Sequence, residues 1–387
     1  MKILLLTRFL SADMGGSEYV ATIIVELLAK NGHQVWVITN KMEGIKTLEH
    51  ENIHTIFVSL KKQSLEGMSL KKTETLRYNL SAIRAGLSII KKEKIDIIHS
   101  NQTFGTFAAL AGAILSILTR TPHIKIFHHF VSIKEFEPSF QKKHGLKWKA
   151  SLLHKVEKFS VKLHCSAVHA VSEATKDALI KLGETKPIFV IPNAISIPNI
   201  GESKNVNQFQ FVSISRMEEY KMLDVIIKAV KIVKESYPEI KLILIGDGPY
   251  RKNLEKLASK LDITENVIFM GYVSNQEKES IISSSLALVF PSVQEGFGLV
   301  ILEAFAQKKP VLVSDVRPMS DIVENNKTGL LISPLDENKW ASGMIHMIQN
   351  QEKAVAMGQE GRSVLEEKYS LSTMWENLSK MYKEVIQ

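Results

Sequence analysis

Short apolar runs alternate with amphipathic helical stretches along nearly the whole chain, and the alternation breaks once. Residues 2–7 read as a buried strand, 17–31 as an amphipathic helix, 34–39 as a second strand and 53–58 as a third. Residues 72–92 then read as a helix, 95–99 as a strand, 104–118 as a helix and 123–128 as a strand. The rhythm continues through 152–164, 167–171, 172–182 and 187–191. Between 192 and 207 Pro, Asn, Gly, Ser and Lys dominate and no period survives, which marks a linker. A second series follows, with strands at 210–215, 241–245, 267–270, 286–290 and 310–314. Helices at 222–235, 250–261, 275–283 and 299–307 separate them, and 337–385 is mostly helical. Repetition of this kind predicts parallel sheets covered by helices on both faces. The expected fold class is therefore α/β, with two doubly wound, Rossmann-like domains at 1–195 and 196–370. A last helix, 371–387, is expected to pack back on the first domain. Two such sheets facing across a cleft would hold ligands at the carboxyl ends of their strands.

With 387 residues, each domain is long enough to bury a core without disulfides or metals. The one cysteine, Cys165, allows no disulfide within the chain and favours a reducing, cytoplasmic setting. It does not read as a nucleophile, because its neighbour His164 points another way in either a strand or a helix. Arg8 interrupts the apolar start too early for a signal peptide. The longest apolar run, 104–118, is shorter than the about 20 residues a membrane span needs. Residues 1–200 carry 27 Lys and Arg against 16 Asp and Glu, whereas 201–387 carry 22 against 25. The basic half fits an anionic partner or simply a surface of solvated lysines. Nucleic acid is not expected, since the basic stretches lack stacking aromatics and any binding motif.

The densest cluster follows the strand 286–290: Pro291-Ser-Val-Gln-Glu295-Gly296-Phe297-Gly298-Leu299, then Glu303 and Ala304 within the next helix. Glycines let a backbone approach a ligand closely, and a helix N-terminus offers free N–H groups to an anion. A carboxylate there suits sugar hydroxyls, because it accepts two charge-assisted hydrogen bonds from a vicinal diol. Either glutamate alone would read as a surface or helix residue; together in this loop they read as a site. Arg216 and Lys221 follow the strand that opens the second domain and suit a diphosphate whose charge rises as a bond breaks. Gly246-Asp247-Gly248-Pro249 reads as a tight turn with Pro at the first helical position. It lacks the third glycine of a dinucleotide fingerprint.

The string EGFGLVILEA resembles the E-x7-E signature of the family 4 retaining glycosyltransferases, which have the GT-B fold. The resemblance implies that Glu303 binds the ribose of a nucleotide and Glu295 the donor sugar, with Gly296, Phe297, Gly298 and Leu299 around them. Arg216 and Lys221 resemble the family's phosphate clamp, although Ser215 and Met222 stand in place of its glycines. Gly246 and Gly248 are similar to its loop near the nucleotide, and residues 267–273, ending in Val273, to the segment that holds the base. Gly15 and Gly16, after the first strand, match the loop facing the donor diphosphate and acceptor. His128 matches a histidine beside the reacting sugar, with His129 where Asp is usual. Pro192-Asn193-Ala194 resembles the hinge, with Ala194 for glycine. Asn101, Gln102, Ser172 and Glu173 lie on other loops at strand ends and receive no role.

The implied reaction moves a sugar from a UDP-, GDP- or ADP-sugar to a glycan or lipid-linked acceptor hydroxyl with retention, in envelope glycan, polysaccharide or glycolipid synthesis. Neither cofactor nor metal is expected: adjacent His128 and His129 point to opposite faces of a strand, and the chain has no Asp-x-Asp. Two other classes fit the architecture: an epimerase that turns over the donor without acceptor, and a binder that never releases nucleoside diphosphate. Residues 142–162 hold seven lysines against Glu157, interleaved with Trp148, Leu152 and Phe159. This basic amphipathic stretch fits either an anionic membrane surface, on the inner face of the membrane, or a domain helix with one solvated side.

Overall fold

The computed structural model describes residues 1–11, 16–41, 48–58, 72–102, 107–128, 147–198 and 206–387. It divides into two compact units: Met1–Asn193 with Met374–Gln387, and Ala194–Thr373.

The first unit contains β1 (Lys2–Leu6), α1 (Ser17–Lys30), β2 (Gln34–Thr39), β3 (Ile53–Phe57), α2 (Lys72–Glu93) and β4 (Ile97–Gln102). Then come α3 (Phe107–Thr119), β5 (His123–Phe127), α4 (Lys147–Val161), β6 (Ala167–Ala170), α5 (Glu173–Lys181) and β7 (Ile188–Val190). The strands form one sheet in the order β3-β2-β1-β4-β5-β6-β7, parallel throughout. Central strands such as β1 are apolar without alternation because helices cover both faces. Leu4, Leu6, Ile38 and Ile98 pack under α2 and α3 against Tyr78, Ala82, Ala111 and Leu115.

Lys125 departs from this pattern, as do the buried His99, His123 and His169 at neighbouring positions. It lies in β5 with its side chain fully buried, and its ammonium donates to Val161 O (2.6 Å) and Leu163 O (3.0 Å) and pairs with Glu184 at 3.2 Å. The lysine thus answers the bare carbonyls at the C-terminal end of α4, where the helix dipole is negative.

The second unit contains β8 (Asn207–Ile214), a 3-10 turn (Glu219–Lys221), α6 (Leu223–Lys234), β9 (Lys241–Ile245), α7 (Arg251–Lys260), β10 (Val267–Gly271) and α8 (Asn275–Ser284). It continues with β11 (Ser285–Phe290), α9 (Leu299–Ala306), β12 (Val311–Ser314), α10 (Met319–Ile322), β13 (Gly329–Ile332), α11 (Glu337–Gln349) and α12 (Gln351–Lys368). Its parallel sheet runs β10-β9-β8-β11-β12-β13. Both orders reverse direction beside the first strand of the unit, the switch point at which doubly wound sheets bind ligands.

A final helix, α13 (Leu371–Ile386), belongs to the first unit from Met374 onward. There Tyr382 Oη lies 2.7 Å from His99 Nδ1, and Trp375 packs on His33 with ring centres 5.5 Å apart.

The expected elements form with shifted ends. The helix expected at 152–164 begins earlier, at Lys147, and ends at Val161, where Lys125 caps it. The strand β13 and the short helix α10 had no counterpart in the sequence reading. A four-residue edge strand shows no period, and only pairing with β12 makes it a strand. Pro249 does not open a helix, since α7 starts two residues later, at Arg251. The turn is needed instead for interlocking with the Arg216 loop, described next.

Candidate donor site

In the second unit the loops after β8, β9 and β11 meet at the carboxyl ends of adjacent strands. Val293 N donates to Tyr220 O (3.1 Å), which ties the loop after β11 to the turn after β8. Met217 N donates to Asp247 O (3.0 Å), and Tyr250 N returns a bond to Met217 O (3.0 Å). A Cβ on Gly248 would lie 2.4 Å from Met217 O, and one on Gly246 2.2 Å from Ser215 O. Glycine is therefore required at both positions by close approach of two backbones. Met222, which stands for a family glycine, nevertheless holds a left-handed φ of 54° at the start of α6. The loop keeps the glycine path with a methionine, whose side chain is buried.

Glu295 lies in the loop before α9, and Gly298, at φ 103°, caps the helix. Glu303 is on the second turn. Each carboxylate has a lysine partner from another element: Lys221 pairs with Glu295, and Lys278 of α8 with Glu303 at 2.8 Å. The ammonium of Lys221 also lies 5.1 Å from the Tyr220 ring and 5.5 Å from the Phe290 ring. Burial works against its charge, but Glu295, Tyr220 and Glu218 outweigh burial and hold its pKa above the ordinary lysine value. Lys221 is thus a fixed cation at the strand ends. Arg216 is half exposed and pairs with Glu218 (3.2 Å), the same carboxylate that helps to hold up the Lys221 pKa.

Gly296 lies in the loop before α9, Leu299 is the first residue of α9, and Val273 lies between β10 and α8. The Phe297 ring instead faces the core, edge-on to Tyr369 at 5.7 Å, so its contribution to a ligand would come from the backbone.

In the first unit His128 directly follows β5 and is buried, with Nε2 2.6 Å from Asn101 Oδ1. Asn101 in turn donates to Thr7 Oγ1 and to Ser17 O, both at 3.1 Å. The side chain that received no role from the sequence is thus the hub joining the ends of β1, β4 and β5 to the start of α1. Gly16 is the N-cap of α1 with φ 67°, and burial raises the pKa of Glu18, two residues on. Gly15 and His129 lie outside the described residues. Cys165 is buried and its thiol is pushed up to about 11, chiefly by burial, which makes it a poor nucleophile.

Among the described residues no group of three His, Cys, Asp or Glu could hold a metal ion, and no helix is long and apolar enough to cross a membrane. A cavity of about 650 Å³ lined by Lys2, Gln34, Trp36 and His54 lies at the opposite, amino ends of β1 to β3, away from these loops. Lys278 is the site residue that sequence reasoning missed. In the run Asn275-Gln-Glu-Lys-Glu it looks like any solvated lysine, and only the packing of α8 beside α9 reveals its partner.

The model of the glycosyl transferases group 1 matches residues 199–364, and that of glycosyltransferase family 4 matches 14–197. A glycosyltransferase of Methanocaldococcus jannaschii is 25% identical, over 98% of this chain and 96% of its own. CapM of Staphylococcus aureus, a capsular polysaccharide biosynthesis glycosyltransferase, is 24% identical over 94% of this chain and 93% of its own. HepE of Anabaena, solved in complex with UDP-glucose, superposes with a TM-score of 0.77 at 20% identity, covering 99% of this chain and all of its own. Both units are Rossmann-like, the fold is GT-B, and the chain is a glycosyltransferase whose first half matches the family 4 model and whose second half matches the group 1 model.

Proposed function

We propose that this glycosyltransferase is retaining and metal-independent, and moves a sugar from a nucleotide-diphosphate sugar to a hydroxyl of a glycan or lipid-linked acceptor. The observation that carries the reading is the pairing of Glu295 and Glu303, beside the N-terminus of one helix, with Lys221 and Lys278. A nucleotide sugar is a ligand that answers both signs: its diphosphate suits cations and helix N–H groups, and its hydroxyls suit carboxylates. Lys221 and Arg216 hold the diphosphate, Glu295 the sugar and Glu303 the ribose, and the resemblance gives His128 a part at the reacting sugar.

In the reaction the bond from the anomeric carbon to the diphosphate oxygen breaks. The acceptor oxygen bonds to the same face, and its proton passes to the departing phosphate oxygen. The chain contributes positioning and stabilisation of leaving-group charge. The UDP-glucose complex of HepE and the capsular polysaccharide biosynthesis in the name of CapM support a nucleotide-sugar donor and cell-envelope glycan synthesis. A cytoplasmic setting is in keeping with the lone buried cysteine.

The test is a screen of UDP-, GDP- and ADP-sugars for donor turnover, with and without EDTA. Glu303→Ala and Lys221→Ala are each expected to abolish transfer, and EDTA to leave it unchanged. Near-normal turnover in both variants would sink the site assignment. Lys155, Lys158, Phe159 and Lys162 are exposed, which supports peripheral contact of 142–162 with an anionic membrane. Cosedimentation with anionic but not zwitterionic vesicles, weakening with salt, is the expected result, and salt-independent binding to both would refute it.

A further inference from the structure

Lys278 is the fourth residue of α8, and Glu303 is the fifth of α9. The lysine takes one carboxylate oxygen, Oε1, at 2.8 Å; the other, Oε2, is shielded from solvent and has no hydrogen-bond partner among the described residues. Both side chains are about a quarter exposed or less (21% and 25%), so water does not screen the pair as it would on an open surface. A shielded acceptor without a donor is costly, so a ligand hydroxyl that reached this oxygen would gain a bond the folded chain does not supply. The carboxylate keeps acceptor capacity that a ligand's hydroxyls can use once the side chains over Oε2 move aside.

The helix carrying Lys278 is itself fixed at its first turn. Ser274 Oγ accepts from Glu277 N (3.2 Å), and the Glu277 carboxylate accepts from Ser274 N (2.9 Å), a reciprocal capping box. That turn follows directly on residues 271–273, the end of the base-holding segment. Lys278 therefore stands on the element that connects the base segment to the ribose carboxylate.

We propose that Lys278 is a positioning residue for donor recognition. By holding Oε1 it sets the plane of the Glu303 carboxylate for the ribose diol, and it does not touch the reacting atoms. The inference rests on the reading of Glu303 as the ribose contact.

UDP, GDP and ADP are titrated calorimetrically into the full chain, and the tightest binder is compared with its 2′,3′-dideoxy analogue. The wild type should prefer the ribonucleotide at least tenfold, on the order of what two charge-assisted hydrogen bonds supply. Lys278→Met should weaken the ribonucleotide roughly five- to tenfold and leave the dideoxy analogue unchanged, and Lys278→Arg should restore most of the loss. Equal weakening of both nucleotides by Lys278→Met, or no weakening, overturns the proposal. Glu303→Gln separates the two readings. If it leaves the preference for the ribonucleotide intact, the ribose assignment itself fails; if it removes the preference while Lys278→Met does not, only the role of Lys278 fails. Binding of none of the three nucleotides overturns both.

Discussion

Replacing Lys125 with methionine keeps an unbranched stem in β5 and removes the ammonium that Val161 O, Leu163 O and Glu184 surround. The Glu184 side chain is only 4% exposed, so it would be left as a buried charge without its cation, held only by the Thr185 and Lys186 backbone N–H groups. Removing one member of a buried pair costs about 3–5 kcal/mol. The carbonyls at the end of α4 add to the loss, while the desolvation cost of the ammonium itself disappears, so the net should stay near that range. Converting both partners, Lys125→Met with Glu184→Leu, removes the stranded carboxylate but not the stranded carbonyls, and should recover about half.

Cys165 provides a local readout, because it is the one thiol in the chain, is buried, and follows the end of α4. Its labelling by an aromatic disulfide under native conditions proceeds through opening of this region. A loss of about 3 kcal/mol or more should speed labelling at least ~100-fold, since each 1.36 kcal/mol is a factor of ten. A labelling rate within threefold of the wild type would show that the ammonium does not hold α4 on the sheet.

Gly248→Ala should lower donor turnover at least about tenfold, because its Cβ would meet Met217 backbone and must displace the loop that carries Arg216. Wild-type kinetics would refute the interlock of the two loops. His99, His123 and His169 are buried, and burial depresses their pKa values, to about 3 for His123, to about 4 for His169 and well below the ordinary 6.5 for His99. The unfolded chain then binds more protons than the folded one below pH 6.5. Their contribution to stability is full above that pH and is lost progressively as pH falls toward the folded values, at about 1.4 kcal/mol per pH unit for each ring. Urea unfolding from pH 7 to pH 5 should show this fall, and His169→Gln should flatten it; an unchanged slope would place the proton uptake elsewhere.

What could be read from residues alone was what depends on near neighbours. Uninterrupted apolar runs marked central strands, Pro and Gly punctuation marked the linker and loops, and the spacing from Glu295 to Glu303 placed two carboxylates beside one helix start. Those signals are local, since strand period, helix period and turn chemistry act over a few residues. Tertiary structure decided the partners. Lys221 finds Glu295 across 74 positions, Lys278 finds Glu303 across 25, and His128 finds Asn101 across 27. Each meeting depends on the order in which parallel strands are laid side by side, which right-handed crossovers and sheet pairing settle and no short stretch of chain encodes. The same holds for β13, a strand only because β12 lies beside it, and for Lys125, whose charge is tolerable in a sheet interior only where a helix end delivers its bare carbonyls.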